Sequence, residues 1–337
     1  MRRPGRATAL AAFLVAQACS LAAAPRAPII DMHLHAHTLD EYGGGAAVCL
    51  NTAPMDFPGI DPRQPITIEA VMKCAQPVRN SESDAAVMRE SLAALERYNI
   101  VAVTSGQLDQ VEKWHAASTA RVIPAISFLT GTARSVDELR ALHRAGKFSV
   151  FAEIGAQYRG VSLDDPALEP FFALAEELDI PVGVHLGEGP PGGLHVGGNP
   201  DYRAALGHPL QLEPVLIKHP KLRLWVMHYA SPFVDETIAL LYSHPQVFVD
   251  IAQNDWGFPR AHFYSQLKRL VDAGFGKRIL FGSDQMLWPA TIAVAIDTVE
   301  RAPFLSKAQK RDILYENAAR FLRISPEDRA RHARGAP

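Results

Sequence analysis

At 337 residues, with 48% hydrophobic and 21% charged side chains, the chain has an ordinary globular composition and enough length to bury a large core without staples. Its net charge of −2 excludes a basic field that draws nucleic acid or acidic membranes. The length suits one α/β barrel, which runs to about 250 residues and often more.

The N-terminus stands apart. Arg2, Arg3 and Arg6 precede a weakly apolar run over residues 7–24, interrupted by Thr8, Gln17, Cys19 and Ser20 and closed by Ala22, Ala23 and Ala24. This pattern predicts a secretory leader over residues 1–24, an exported protein, and a periplasmic or secreted location. Ala16-Gln17-Ala18 offers an earlier cleavage site before Cys19, and membrane attachment is expected only if Cys19 is lipidated. Removal of the leader leaves Cys49 and Cys74. Export and an even count favour a bridge between them.

From residue 29 short β-branched runs alternate with helical stretches. Strands are expected over 29–32, 100–104, 122–128, 148–154, 181–186, 222–228, 247–251 and 279–283. Helices follow them over 81–99, 108–117, 136–145, 168–178, 209–217, 234–242, 260–273 and 289–302, with Ser81 as the cap of the first. The strands are mostly continuous apolar runs, as in a parallel sheet buried on both faces. Eight βα units predict a single-domain (β/α)8 TIM barrel over residues 25–325. An open doubly wound sheet would show a Gly-rich phosphate turn after an early strand, and there is none. A further helix is expected over 306–322, then a polar tail over 326–337. Residues 36–80 and 187–208 are long, rich in Gly and Pro, and each follows a strand. Both therefore overhang the C-terminal face, where barrel active sites form.

The strand ends carry the chemistry. His33 and His35 lie two apart, so on a strand both point to one side and both imidazoles can meet one metal ion. His37 lies past the strand end and reads as a loop histidine. Glu153 closes strand 4, His185 strand 5, His228 strand 6 and Asp284 strand 8. A lone ionisable residue closing an apolar run is most simply a satisfied core histidine or a helix-capping carboxylate. Five strand ends doing so on one face, where each residue is costly to bury unpaired, point to a shared metal site. Asp31 precedes the pair on the side of His33 if alternation holds; it orients a ligand histidine or simply packs in the barrel.

Imidazole and carboxylate together suit Zn²⁺, and also Mn²⁺, Fe²⁺ or Co²⁺. Such an ion activates water and polarises a carbonyl or phosphoryl oxygen. Asp284 can ligate and accept the proton of that water. His228 can hold a second ion or act as an acid near the scissile bond.

With these residues in order, the chain resembles the amidohydrolase superfamily, in its amidohydrolase-2 branch. Glu316-Asn317-Ala318-Ala319-Arg320-Phe321-Leu322 is similar to the family's C-terminal helix. The resemblance implies that His33, His35, His185 and Asp284 bind one catalytic metal and that His228 is the catalytic histidine. Phe151-Ala152-Glu153-Ile154-Gly155 is similar to the strand-4 segment of TatD-type nucleases and other relatives with two metals. By that likeness Glu153 bridges two ions, and His185 and His228 hold the second. The branch contains hydrolases and decarboxylases. Export argues for hydrolysis of a small amide, ester or lactone; the alternative is non-oxidative decarboxylation of a small carboxylic acid. A non-catalytic exported binding protein is the third reading, and the intact donor set argues against it.

The loops must choose the small-molecule substrate. Tyr158, Arg159, Glu188 and His195 follow metal-bearing strands, and Gln253, Asn254, Asp255 and Trp256 follow strand 7. Arg159, Glu188 and Trp256 are the expected substrate contacts: Arg159 can pair with a carboxylate, and Trp256 can wall the pocket. The sequence leaves monomer and homo-oligomer both open.

Overall fold

The computed structural model describes residues 26–53, 55–128, 134–196 and 198–335. The expected leader, with Cys19, lies outside them. Eight parallel strands run in ring order: β1 Ile29–His35, β2 Ile100–Ser105, β3 Val122–Phe128, β4 Val150–Ile154, β5 Val182–Val184, β6 Leu224–Val226, β7 Val247–Asp250 and β8 Ile279–Leu280. Backbone bonds from Met32 N to Phe281 O and from His35 N to Gln285 O, both 2.9 Å, join the two ends. The fold is the expected single-domain (β/α)8 barrel.

Alternation along each strand sorts its residues into two cores. Ile29, Leu34, Ile100, Ala102, Leu224, Val226, Val247 and Val249 pack outward against the helices. Ile30, Met32, Val103, Ala125, Val150, Ala152, Trp225, Met227 and Leu280 fill the barrel, and Tyr315, Ala318 and Phe321 of the C-terminal helix plug its base. Trp225 is the bulkiest filler. Gly183 makes room for it, since a Cβ there would lie 2.4 Å from the indole.

The first barrel helix, α1 Asp84–Tyr98, is capped by Ser83, whose Oγ accepts the Ala86 N–H. The expected cap, Ser81, instead donates to Glu90 at 2.8 Å. Val87, Ser91 and Leu95 recur at helical spacing and are buried. The helices α2 Leu108–Ala117, α3 Val136–Arg144, α4 Glu169–Leu178, α5 Glu213–Lys218, α6 Val234–Ser243, α7 Arg260–Leu270 and α8 Ala290–Glu300 follow the later strands. The segment expected as a polar tail forms one more helix, Pro326–Ala333, capped by Ser325. His332 anchors it: the buried ring meets the Tyr315 hydroxyl at 3.0 Å and its carbonyl accepts from Asn99 Nδ2. Composition alone hid this contact. Among the described residues no helix is long and apolar enough to cross a membrane.

The described part of the segment after β1, residues 36–53 and 55–80, holds a short ribbon, Ala47–Val48 against Val78–Arg79. Cys49 and Cys74 are bridged, with Cα atoms 5.8 Å apart. Closing a loop of this length stabilises by about 3 kcal/mol in the chain-entropy view. A Cys49→Ala/Cys74→Ala variant should therefore melt earlier, and reductant should lower the melting temperature of the parent but not of the variant.

Candidate metal centre

Six side chains from five strand ends meet at the C-terminal mouth of the barrel. His33 and His35 present their Nε2 atoms 3.1 Å apart. Asp284 Oδ1 lies 3.0 Å from His35 Nε2 and 3.5 Å from His33 Nε2. Glu153 faces both sides of the group: Oε2 is 3.5 Å from Nε2 of each strand-1 histidine, and Oε1 is 3.8 Å from His185 Nε2. The His228 ring stands 5.0 Å from that of His33 and 4.8 Å from that of His185. Three sets of donor atoms within 4.8 Å of one another result: His33, His228 and Asp284; His33, His35 and Glu153; Glu153, His185 and His228.

Two β-bulges aim these groups. Between Asp31 and Leu34, β1 advances three residues while β2 advances two. The extra residue breaks the alternation, so Met32 and His33 both face the interior. β4 does the same against β5 between Phe151 and Ile154, turning Ala152 and Glu153 both inward. On strands 6 and 8 the chain instead enters the left-handed region, with φ of 56° at His228 and 45° at Asp284. Neither is glycine, and such backbone is uncommon for other residues. Gly282 lets β8 approach β1, for a Cβ there would lie 2.8 Å from that of His33.

The bulge also corrects the expected place of Asp31. It falls on the opposite side from His33, where its Oδ1 accepts the backbone N–H of His33 at 3.0 Å and of Ser283 at 2.9 Å. Burial raises its carboxyl to about 6. The residue that orients the ligand ring is Asp250, which sequence reasoning missed. Its Oδ2 takes His33 Nδ1 at 3.1 Å and Trp225 Nε1 at 3.0 Å, and its Oδ1 takes the backbone N–H of His228 at 2.8 Å and of Ala252 at 3.1 Å. Asp250 closes the apolar run Val247-Phe248-Val249, the pattern that marks the other strand ends.

Three of the four histidines hold the nitrogen turned away from the cluster in a hydrogen bond; His185 Nδ1 is buried with no partner among the described residues. His33 Nδ1 meets Asp250, His228 Nδ1 meets the Ala252 carbonyl at 2.9 Å, and His35 Nδ1 meets Ser105 Oγ at 3.0 Å. A proton held on Nδ1 leaves the Nε2 lone pair toward the cluster. The donor set therefore fits a divalent ion: ligands about 2.0–2.1 Å from a metal stand roughly 3 Å from each other. Electrostatics agree. Burial opposes charge on Glu153, yet His185 and His33 carry its carboxyl well below the usual range. Burial likewise opposes charge on Asp284, and His33, His35 and His228 outweigh it. Burial depresses His33, but Asp284 and Asp250 raise it well above an ordinary imidazole. Burial pulls His185 down to about 4. Buried carboxylates thus crowd a point that calls for positive charge.

Around this centre the loop residues separate. Tyr158 places its hydroxyl 2.8 Å from His185 Nε2. Tyr42, from the loop after β1, also borders the site; burial, then Asp284 and Glu153, push its hydroxyl well above 10. His37 stacks on His35 with ring centres 4.5 Å apart and bonds Glu41 at 2.8 Å, so this loop histidine has a role in shaping the mouth. Asn254 Nδ2 supports the His228 carbonyl at 3.0 Å. Glu188 is half-buried, with Ser231 Oγ donating to Oε1 at 3.0 Å. Arg159 is exposed. Trp256 does not wall the pocket: it is buried in the outer core and its indole N–H is bound by the Ser283 carbonyl. A tryptophan beside a site is often simply the largest apolar residue available to pack the loop.

A barrel that gathers four histidines and two carboxylates at its catalytic face belongs to the metal-dependent barrel enzymes. The chain is a member of the amidohydrolase-2 family: the family model described as Amidohydrolase matches residues 30–324. Members are metal-dependent hydrolases or decarboxylases, and this chain is an enzyme of that kind. Solved structures share its fold. A probable 2-pyrone-4,6-dicarboxylic acid hydrolase from Acinetobacter baumannii, with citric acid bound, is 15% identical over 88% of this chain and 99% of its own, with a TM-score of 0.57. An uncharacterized TIM-barrel protein from Bordetella bronchiseptica is 19% identical over 72% and 83%, TM-score 0.54. The 5-carboxyvanillate decarboxylase of Sphingomonas paucimobilis is 14% identical over 69% and 82%, TM-score 0.52. No curated protein matches the chain.

Proposed function

We propose that the protein is an exported hydrolase that uses metal-activated water to cleave a small amide, ester or lactone. The observation that carries this is the place of Asp284: an ionised carboxylate 3.0 Å from His35 Nε2, in one donor group with His33 and His228. A divalent ion bound there, Zn²⁺ or Mn²⁺ by its donors, would supply the Lewis acidity that acidifies water and polarises an acyl oxygen. Asp284 accepts the proton that water releases and holds it beside the scissile bond. His228, its Nδ1 fixed by the Ala252 carbonyl, turns Nε2 toward the same point: beside a single ion it would donate to the developing oxyanion or leaving group, and with a second ion bound it would be a ligand instead. Tyr158 and Tyr42 bound the space in which the acyl group is oriented.

We further infer two ions. Glu153 directs one oxygen to the strand-1 pair and the other to His185, the arrangement of a bridging carboxylate. His33, His35 and Asp284 would hold the first ion, and His185 and His228 the second. The leader pattern over residues 1–24 and the Cys49–Cys74 bridge both support export.

Metal analysis of protein purified without chelator should find about two equivalents per chain, falling to about one in Glu153→Ala. Turnover should stop on dialysis against chelator and return with the ion. Full activity in chelator would sink the metal assignment. Carbon dioxide release from carboxylated compounds, with no hydrolysis of amide, ester or lactone panels, would replace hydrolysis by decarboxylation.

A further inference from the structure

On the loops above the barrel acids stand both exposed, as at Asp40, Asp56, Asp61 and Asp201, and within the mouth, whereas the arginines and lysines there are exposed or half-buried only. Of those within the mouth, Glu153 and Asp284 stand in the donor cluster and Asp250 backs it; half-buried Glu188, on the loop after β5, lies where His228 and His262 bear on its carboxyl. The cations lie outside. Arg63, Lys73, Arg79, Arg159 and Arg203 are exposed, and half-buried Arg134 lies beside Glu138 at the start of α3. Residues 129–133 carry no charge in sequence. The ion partners of Glu153, Asp250 and Asp284 are all histidines. The charged groups that bear on Tyr42 are Asp284, Glu153 and Glu41, all acids.

One divalent ion offsets only half of the charge on Glu153, Asp250, Asp284 and Glu188, and the buried carboxyls of Asp31 and Asp255 stand close to Asp250 and Asp284 besides. A substrate carboxylate entering this mouth would meet no buried guanidinium or ammonium among the described residues. Glu188 has the opposite fitness. Ser231 fixes its Oε1, and no other side chain bonds its carboxylate among the described residues. A half-buried carboxylate held in this way is a ready partner for an ammonium, since hydrogen bonds to charged groups are the strong ones.

Resting on the hydrolase reading above, we propose that the substrate is an acyl compound bearing a cationic amine, held by Glu188, and that acyl compounds with a free carboxylate at that position are rejected. Glu188 acts here as a specificity residue. It touches the far end of the substrate, and the reacting carbonyl stays with Asp284 and His228.

Three hydroxamates of equal length test this: 6-aminohexanohydroxamate, hexanohydroxamate and adipic monohydroxamate. Each anchors on the metal through the same chelating group whichever reaction the centre runs, so only the distal charge differs. Binding to the metal-loaded protein is measured by calorimetry. The amino probe should bind about tenfold tighter than the neutral one, and the adipic probe about tenfold weaker. Glu188→Gln should bring the amino and neutral probes within about twofold of each other. In the parent, about 0.5 M NaCl should shrink the same preference, which keeps the test decisive if the variant fails to fold. Tightest binding by the adipic probe, or an amino preference that survives both the substitution and salt, overturns the proposal while leaving the metal centre intact. Failure of all three probes to bind overturns the metal reading itself, and this proposal with it.

Discussion

Asp250→Ala is expected to lower the melting temperature sharply and to weaken metal binding by about 10- to 100-fold. The carboxylate is fully buried and serves four N–H donors, from His33, Trp225, His228 and Ala252. Its loss leaves those donors unpaired in the barrel, a cost of about 3–5 kcal/mol. Asp250→Asn separates the two effects. An asparagine oxygen can still receive the two backbone N–H groups, but its amide then faces His33 Nδ1 and also the Trp225 indole N–H, which loses its acceptor. The ring must then carry its proton on Nε2, and the lone pair that would bind metal is lost. The Asp250→Asn protein should therefore melt nearer the parent yet bind metal as poorly as the alanine variant. Chelator competition and thermal unfolding read the two quantities independently. Parental metal affinity in Asp250→Asn would show that Asp250 does not set the His33 tautomer.

Asp284→Asn should cut kcat by about a thousandfold, the range expected when a positioned proton acceptor is removed. The choice of asparagine matters. Asp284 has φ of 45°, a left-handed conformation that Asn adopts at least as readily as Asp and that a β-branched residue does not. The amide oxygen can still face His35, so the fold and most of the bound metal should survive. Loss of turnover with metal content near the parent value places Asp284 at proton transfer. A fall in activity that tracks metal loss, and recovers fully with excess ion, would reduce Asp284 to a ligand alone.

Much of the scaffold is legible in the sequence, and for a physical reason. Apolar runs such as those over 100–104 and 122–128 can be buried on both faces only in a parallel sheet wrapped by helices. The helix Leu108–Ala117 and the strand Val122–Phe128 fall where periodicity and β-branching place them. His33, His35, Glu153, His185, His228 and Asp284 are visible because each sets an ionisable group at the end of a hydrophobic strand. Asp250 carries the same signature on strand 7. The contact that gives Trp256 to the core is invisible in sequence, because packing and pocket walls draw on the same residue types.

What the sequence by itself determined was the alternation of strands and helices, and the identity of the groups that end those strands. What only the tertiary structure decided was the direction in which they point. Strict alternation puts Asp31 with His33 and sets Glu153 opposite Ala152. The bulges in β1 and β4 reverse both assignments, since one extra residue against a neighbouring strand flips every side chain beyond it. A bulge depends on how two strands far apart in sequence fit together, so no local pattern encodes it. The same holds for Asp250, which gains its role from meeting His33 across the barrel, 217 residues away in the chain.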